Sequence, residues 1–95
     1  MSWQRNHKAK DMQVLQRPFW NCDPEELREL FSLSKSDRAH TRCALWSHQF
    51  GWELRLTVNG SLVRSQVCRV FAEGLTAAEK WQRAMCEEGW QLSVP

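Results

Sequence analysis

From Gly51 to Val70 the chain reads GWELRLTVNGSLVRSQVCRV, two alternating runs of apolar and polar residues joined by Asn59-Gly60. Alternation with a period of two marks a strand with one buried face. Asn-Gly accepts the positive φ that both central positions of a type I′ turn require, so the stretch predicts a hairpin with a two-residue loop. Counting outward from that loop pairs Val58 with Ser61, Leu56 with Val63, Leu54 with Ser65 and Trp52 with Val67. These residues form the face expected to be buried. The other face then carries Glu53, Arg55 and Thr57 beside Gln66, Arg64 and Leu62. Arg55 falls opposite Arg64, a like-charge pair that needs a carboxylate nearby, and Glu53 is placed to supply it. A slip of one residue would bury the arginines, so the pattern favours this register.

Upstream, Thr41–His48 reads as a further strand. Its consecutive apolar residues Cys43, Ala44, Leu45 and Trp46 suit a position in the middle of the sheet. The short His48-Gln49-Phe50-Gly51 connection sets it antiparallel beside Trp52–Val58. Before it, Asp23-Pro24-Glu25-Glu26-Leu27 carries the marks of a helix start: Asp23 as N-cap, Pro24 in the first turn, Glu26 at the capping-box position. Leu27, Leu30 and Phe31 then fall on one helical face, and the helix ends near Leu33, before the polar loop Ser34–Arg38. After the hairpin, Thr76-Ala77-Ala78-Glu79 is a capping box and Gly89 suits the left-handed position that ends a helix. A start nearer Ala72 is also compatible with the pattern. Phe71, Leu75, Ala78, Trp81 and Met85 form its apolar stripe. Residues 1–22 are read either as a basic arm or as an N-terminal strand or hairpin, with Met12–Arg17 strand-like up to Pro18. Residues 23–90 form the domain and 91–95 a tail.

The expected fold is therefore α+β in two layers: a three-stranded antiparallel sheet in αβββα order, with both helices on one face and the other face open. That order is similar to the topology of the double-stranded RNA-binding domain, and residues 23–90 have about its size. In that family the last helix opens with a lysine-rich cluster, where this chain has Leu75-Thr76-Ala77-Ala78-Glu79-Lys80. The loop between the first two strands carries a Gly-Pro and histidine signature, where this chain has Ser47-His48-Gln49-Phe50-Gly51. The resemblance is one of element order, and no binding residues carry over from it.

Ninety-five residues make one domain. No apolar run approaches the ~20 residues that span a bilayer, and the basic start MSWQRNHKAKD is unlike a secretory signal, so a cytoplasmic setting is expected. Cys22, Cys43, Cys68 and Cys86 are widely spaced and are read as reduced thiols. His40 and Cys43 make one H-x₂-C, but positions three apart on a strand point to opposite faces, and no metal or cofactor site is assigned. The six tryptophans are the compositional oddity. Trp52 and Trp81 are expected in the core, with Trp3, Trp20 or Trp90 partly exposed, where tryptophan favours interfaces.

No Gly-rich phosphate loop, carboxylate pair or nucleophile elbow is present, and Cys43 with His40 or His48 is the sole local nucleophile-and-base candidate. The leading expectation is a small non-enzymatic interaction module of bacterial or phage accessory type. It would bind a protein partner or a second copy through the open sheet face (Glu53, Arg55, Arg64, Gln66), an unpaired strand edge, or an exposed tryptophan such as Trp90. One alternative is a weak nucleic-acid binder, with Arg5, Lys8 and Lys10 on phosphate and the sheet arginines beside them. Another is a small-molecule pocket lined by Trp46, Trp52 and Trp81.

Overall fold

The computed structural model of the protein describes residues 18–93. Four strands follow one another as an antiparallel meander: β1 (Glu26–Ser36), β2 (Ala39–His48), β3 (Gly51–Val58) and β4 (Ser61–Cys68). One helix, α1 (Phe71–Glu87), then crosses one face of the sheet, and β5 (Gln91–Leu92) pairs with Leu33 and Ser34 of β1. The sheet order is β4-β3-β2-β1-β5. The fold is α+β with a single antiparallel sheet, as expected. Among the described residues there are five strands rather than three, in the order ββββαβ, so the expected αβββα order of residues 23–90 that suggested the double-stranded RNA-binding domain does not hold. Residues 1–17, which include Trp3, Arg5, Lys8, Lys10 and the strand-like Met12–Arg17, lie outside the described residues.

The expected first helix is a strand, and its sequence pattern has a physical explanation. Along β1 the pairing with β2 shifts between Glu26 and Arg28 and again between Glu29 and Phe31. Leu27 and Leu30 are the extra residues. Each bulge adds one residue to the two-residue period, so apolar positions recur at Leu27, Leu30, Phe31 and Leu33. That spacing imitates a helical stripe. Leu27 and Leu30 pack at the rim of the core, while Phe31 and Leu33 are buried in it. The capping signature at Asp23 is used otherwise: Glu25 donates its N–H to Ser47 Oγ and accepts from the Ser47 N–H, which ties the chain to β2 just before β1 begins.

The hairpin turn forms as the sequence indicates. Asn59 and Gly60 both have positive φ, at 50° and 84°. Asn59 also reaches sideways: its Oδ1 accepts the His40 N–H at 2.9 Å and its own N–H donates to the His40 carbonyl at 2.8 Å, anchoring the turn to the start of β2. The register beyond the turn differs from the expectation. Val58 faces Ser61 and Thr57 faces Leu62, but then Leu56 faces Arg64, Leu54 faces Gln66 and Trp52 faces Cys68. Val63 is an unpaired bulge, and every residue after it changes face.

The core lies between the sheet and α1. Cys43 and Leu45 of β2 meet Trp52, Leu54 and Leu56 of β3, Phe31 and Leu33 of β1, and Ala77, Ala78 and Trp81 of the helix. Trp52 and Trp81 are core residues, as expected. The helix begins earlier than its capping box, at Phe71, and its buried stripe runs through Gly74 and Ala77 rather than Leu75, which is exposed. Small residues let it lie close to the sheet: a Cβ at Gly74 would stand 3.2 Å from Leu45 Cδ1. At its end Gly89 takes φ +103°, with Trp90 N–H bonded to Met85 O and Gly89 N–H to Cys86 O. This is a Schellman ending. It turns the chain back toward β1, so Gln91 and Leu92 form a strand where a tail was expected. Among the described residues no helix is long and apolar enough to cross a membrane.

Candidate functional site

The outer side of β4 is the feature that sets this sheet apart. The strand lies at the end of the sheet order, and every residue from Ser61 to Val67 is exposed. An edge strand presents unpaired backbone N–H and C=O groups, and proteins commonly shield such edges with charges, bulges or cover. The opposite edge is shielded in all three ways. β1 carries bulges and the charged Glu26, Arg28 and Glu29, and β5 covers it at Leu33 and Ser34. β4 has one bulge and one charged residue, Arg64, together with exposed Leu62, Val63 and Val67.

The bulge at Val63 decides what surrounds that edge. It turns Arg64 and Gln66 to the helix side, where the Arg64 guanidinium lies 4.4 Å from the centre of the Trp81 ring. A cation over an indole face is attracted by the ring quadrupole, and its stem covers the apolar surface beneath. Between the helix-facing side of β4 and α1 runs an open groove of about 630 Å³. Arg64 and Gln66 of β4 line one side, and Ala72, Glu73, Thr76, Lys80, Trp81 and Ala84 of α1 are among those on the other. Ala72, Thr76 and Ala84 are small and stand at helical-turn spacing on one side of α1, with Lys80 between them.

The open face of the sheet has a different character. Its charges are already paired. Arg42 binds Glu26 with two nitrogens and reaches Glu29 Oε1 at 2.6 Å through Nε. The Arg42 guanidinium hydrogen-bonded to Glu26 holds that carboxyl below the usual carboxylate range, while the arginine's own pKa is raised. Arg55 donates to Glu53 at 2.8 Å and stacks 4.3 Å from the centre of the Trp46 ring. A hollow of about 210 Å³ lies among Arg42, Ala44, Trp46, Arg55 and Leu62. Ligand pockets usually run from ~300 to ~1,000 Å³, so it suits at most a small group.

The residues singled out from the sequence are thus divided between surfaces. Glu53 and Arg55 lie together on the open face, Arg64 and Gln66 on the helix side of the edge, and Trp90 half-buried against the core beyond α1. The expected recognition face of four residues does not exist as one surface, because the bulge separates its two strands' contributions. The expected pocket does not form either. Trp52 and Trp81 are in the core, whereas Trp46 is on the opposite face. Trp52 Nε1 is buried without a hydrogen-bond partner among the described residues. Cys43 is fully buried, its thiol pushed up to about 12 by burial, and His40, three residues away, faces the open side. A nucleophilic thiolate is disfavoured in that setting. Cys68 is buried too, and burial with Glu73 nearby raises it. All four cysteines are free.

Leu62, Val63, Thr76 and Ala84 were not singled out from the sequence as site residues. The apolar doublet Leu62-Val63, which breaks alternation directly after the turn, is the local sign of an extra residue. The small helix positions acquire meaning only once β4 is beside them. No protein-family model matches the chain, and comparison with curated proteins and with solved structures likewise yields no match.

Proposed function

We propose that the protein is a non-catalytic interaction module that receives an extended polypeptide strand along β4. The added strand would take main-chain hydrogen bonds from the edge and place its inward side chains in the groove against α1. This is recognition by β-augmentation, in which backbone pairing supplies affinity and pockets for alternate side chains supply selectivity. The observation that carries the reading is the conjunction of a strand exposed from Ser61 to Val67 with a groove beside it lined by the same strand and the helix. The open face supports a binding role less well, since Arg42 and Arg55 already have carboxylate partners. For the same reason it lends little to a nucleic-acid reading, whose arm residues Arg5, Lys8 and Lys10 lie outside the described region.

Selection of peptides from a random display library on the wild-type protein tests the reading. Bound peptides are expected to protect backbone amides of residues 61–68 from hydrogen exchange. They should also lose affinity at least about tenfold when Thr76→Trp fills the groove. Peptides that bind Thr76→Trp equally well, or that protect only the open face, would reject it.

A further inference from the structure

We infer that the strand received by β4 is the β4 of a second copy of this chain, paired antiparallel about a two-fold axis at Ser65. The inference rests on the reading of β4 as a binding edge and adds the partner and the register.

The argument starts from self-complementarity. A two-fold interface brings each residue i against a residue j, and j against i. In an antiparallel strand pair the sum of the two residue numbers is constant, so one position can face itself. Residues 63–67 read Val-Arg-Ser-Gln-Val. Centred on Ser65, the strand sets Arg64 against Gln66 of the second copy and Ser65 against its Ser65, and brings Val67 beside the bulged Val63. Apolar residues meet apolar ones, and an arginine meets an amide whose carbonyl oxygen accepts from it. Centring on Arg64 instead would face two arginines directly, which is destabilising. Of these two registers the chemistry of β4 favours the one centred on Ser65.

The surrounding structure agrees with that register. Val63 and Val67 are 56% and 44% exposed, an unusual state for two valines flanking a strand centre. The axis stands perpendicular to the joined sheet, so both helices lie on the same side of it. The groove of one copy, between β4 and Ala72, Thr76 and Ala84, then opens onto the groove of the other. A ten-stranded sheet results, whose outer edges are those guarded by the charged and bulged β1 and by β5.

Light scattering on the chromatographed protein, over a concentration series under reducing conditions, measures the assembly. Twice the monomer mass is expected for the wild type and the monomer mass for Val67→Lys. Circular dichroism on that variant confirms that the fold persists. Register is read by Ser65→Cys in a Cys22→Ser, Cys86→Ser background, which removes the two exposed thiols. Directly opposed residues of an antiparallel pair have Cα atoms ~4.5–5.5 Å apart, within disulfide range. Mild oxidation should link Ser65→Cys chains at least about tenfold faster than Ser61→Cys chains. A monomer at every concentration overturns the inference, and the peptide selection above then decides the edge reading separately. A dimer abolished by Val67→Lys but not linked through position 65 also overturns it, while leaving β4 as the binding edge. A dimer indifferent to Val67→Lys overturns the inference as well, and the peptide selection again decides the edge reading.

Discussion

Deleting Val63 distinguishes the observed hairpin register from the one that counting outward from Asn59-Gly60 gives. In the structure Thr57 faces Leu62 and Leu56 faces Arg64, with Val63 between them unpaired. Removing Val63 makes these pairs consecutive and leaves Arg64, Gln66 and Cys68 on their present face. Fully burying a valine is worth ~1.5–3 kcal/mol, and Val63 is more than half exposed, so its removal forfeits about 1 kcal/mol. Regular cross-strand pairing returns ~0.2–1 kcal/mol. The deletion is therefore expected to change stability by no more than about 1 kcal/mol. With the uninterrupted register the same deletion would move every residue after it to the opposite face. Val67, opposite Trp52 in that register, would be turned outward and Arg64 and Gln66 turned towards the core, and a loss of several kcal/mol would follow. Urea denaturation followed by tryptophan fluorescence measures the difference, carried out in the Val67→Lys background so that association does not contribute. A double-mutant cycle between Arg64→Ala and Trp81→Phe adds a positional check. Their coupling of ~0.5–1 kcal/mol should survive the deletion, because Arg64 stays over the indole. A stability loss above about 3 kcal/mol, or a coupling that the deletion abolishes, would refute the reasoning.

Four further outcomes are expected. Gly51 has φ +131°, and a Cβ there would stand 2.7 Å from the Cys68 carbonyl oxygen; Gly51→Ala should cost about 2–4 kcal/mol by thermal denaturation, and a neutral result would contradict this close approach. Glu26 has its pKa lowered by Arg42, so the unfolded chain takes up its proton first as pH falls from 4.5. Stability from this pair is present above that pH and lost below it, and Glu26→Gln should flatten the acid limb slightly, by less than ~1 kcal/mol because both side chains are partly exposed. Cys43 has the opposite dependence: the unfolded thiol ionises near 9.0 while the folded one holds its proton to about 12, so stability falls as pH rises between those values, by at most ~1.4 kcal/mol per unit. Cys43→Ala should remove part of that alkaline slope. In the native protein an alkylating reagent should label Cys22 and Cys86 promptly and reach Cys43 and Cys68 only on unfolding, as mass spectrometry would report.

Local chemistry alone determined several parts of this protein. The Asn59-Gly60 turn follows from two residues that tolerate positive φ, and the helix ending at Gly89 follows from one. The place of Trp52 and Trp81 in the core follows from their area and periodicity, and the position of β2 inside the sheet follows from its run of apolar residues. What the sequence left undetermined turns on bulges. At Leu27 and Leu30 an extra residue converts strand spacing into helical spacing, and only pairing with β2 reveals which of the two is present. At Val63 the extra residue exchanges the faces of Arg64 and Gln66, dividing the recognition surface that alternation implied. A bulge costs little locally, and where it falls is set by contacts distant in the chain: Leu45 against Gly74, Cys68 beneath α1, Arg64 over Trp81. The candidate edge and its groove belong to this second category. β4 becomes an edge because α1 carries the chain over the sheet to β1, and Ala72, Thr76 and Ala84 become a groove wall because the bulged strand lies beside them. Alternation and capping act over a few residues, whereas the faces that meet are chosen by the packing of the sheet against α1.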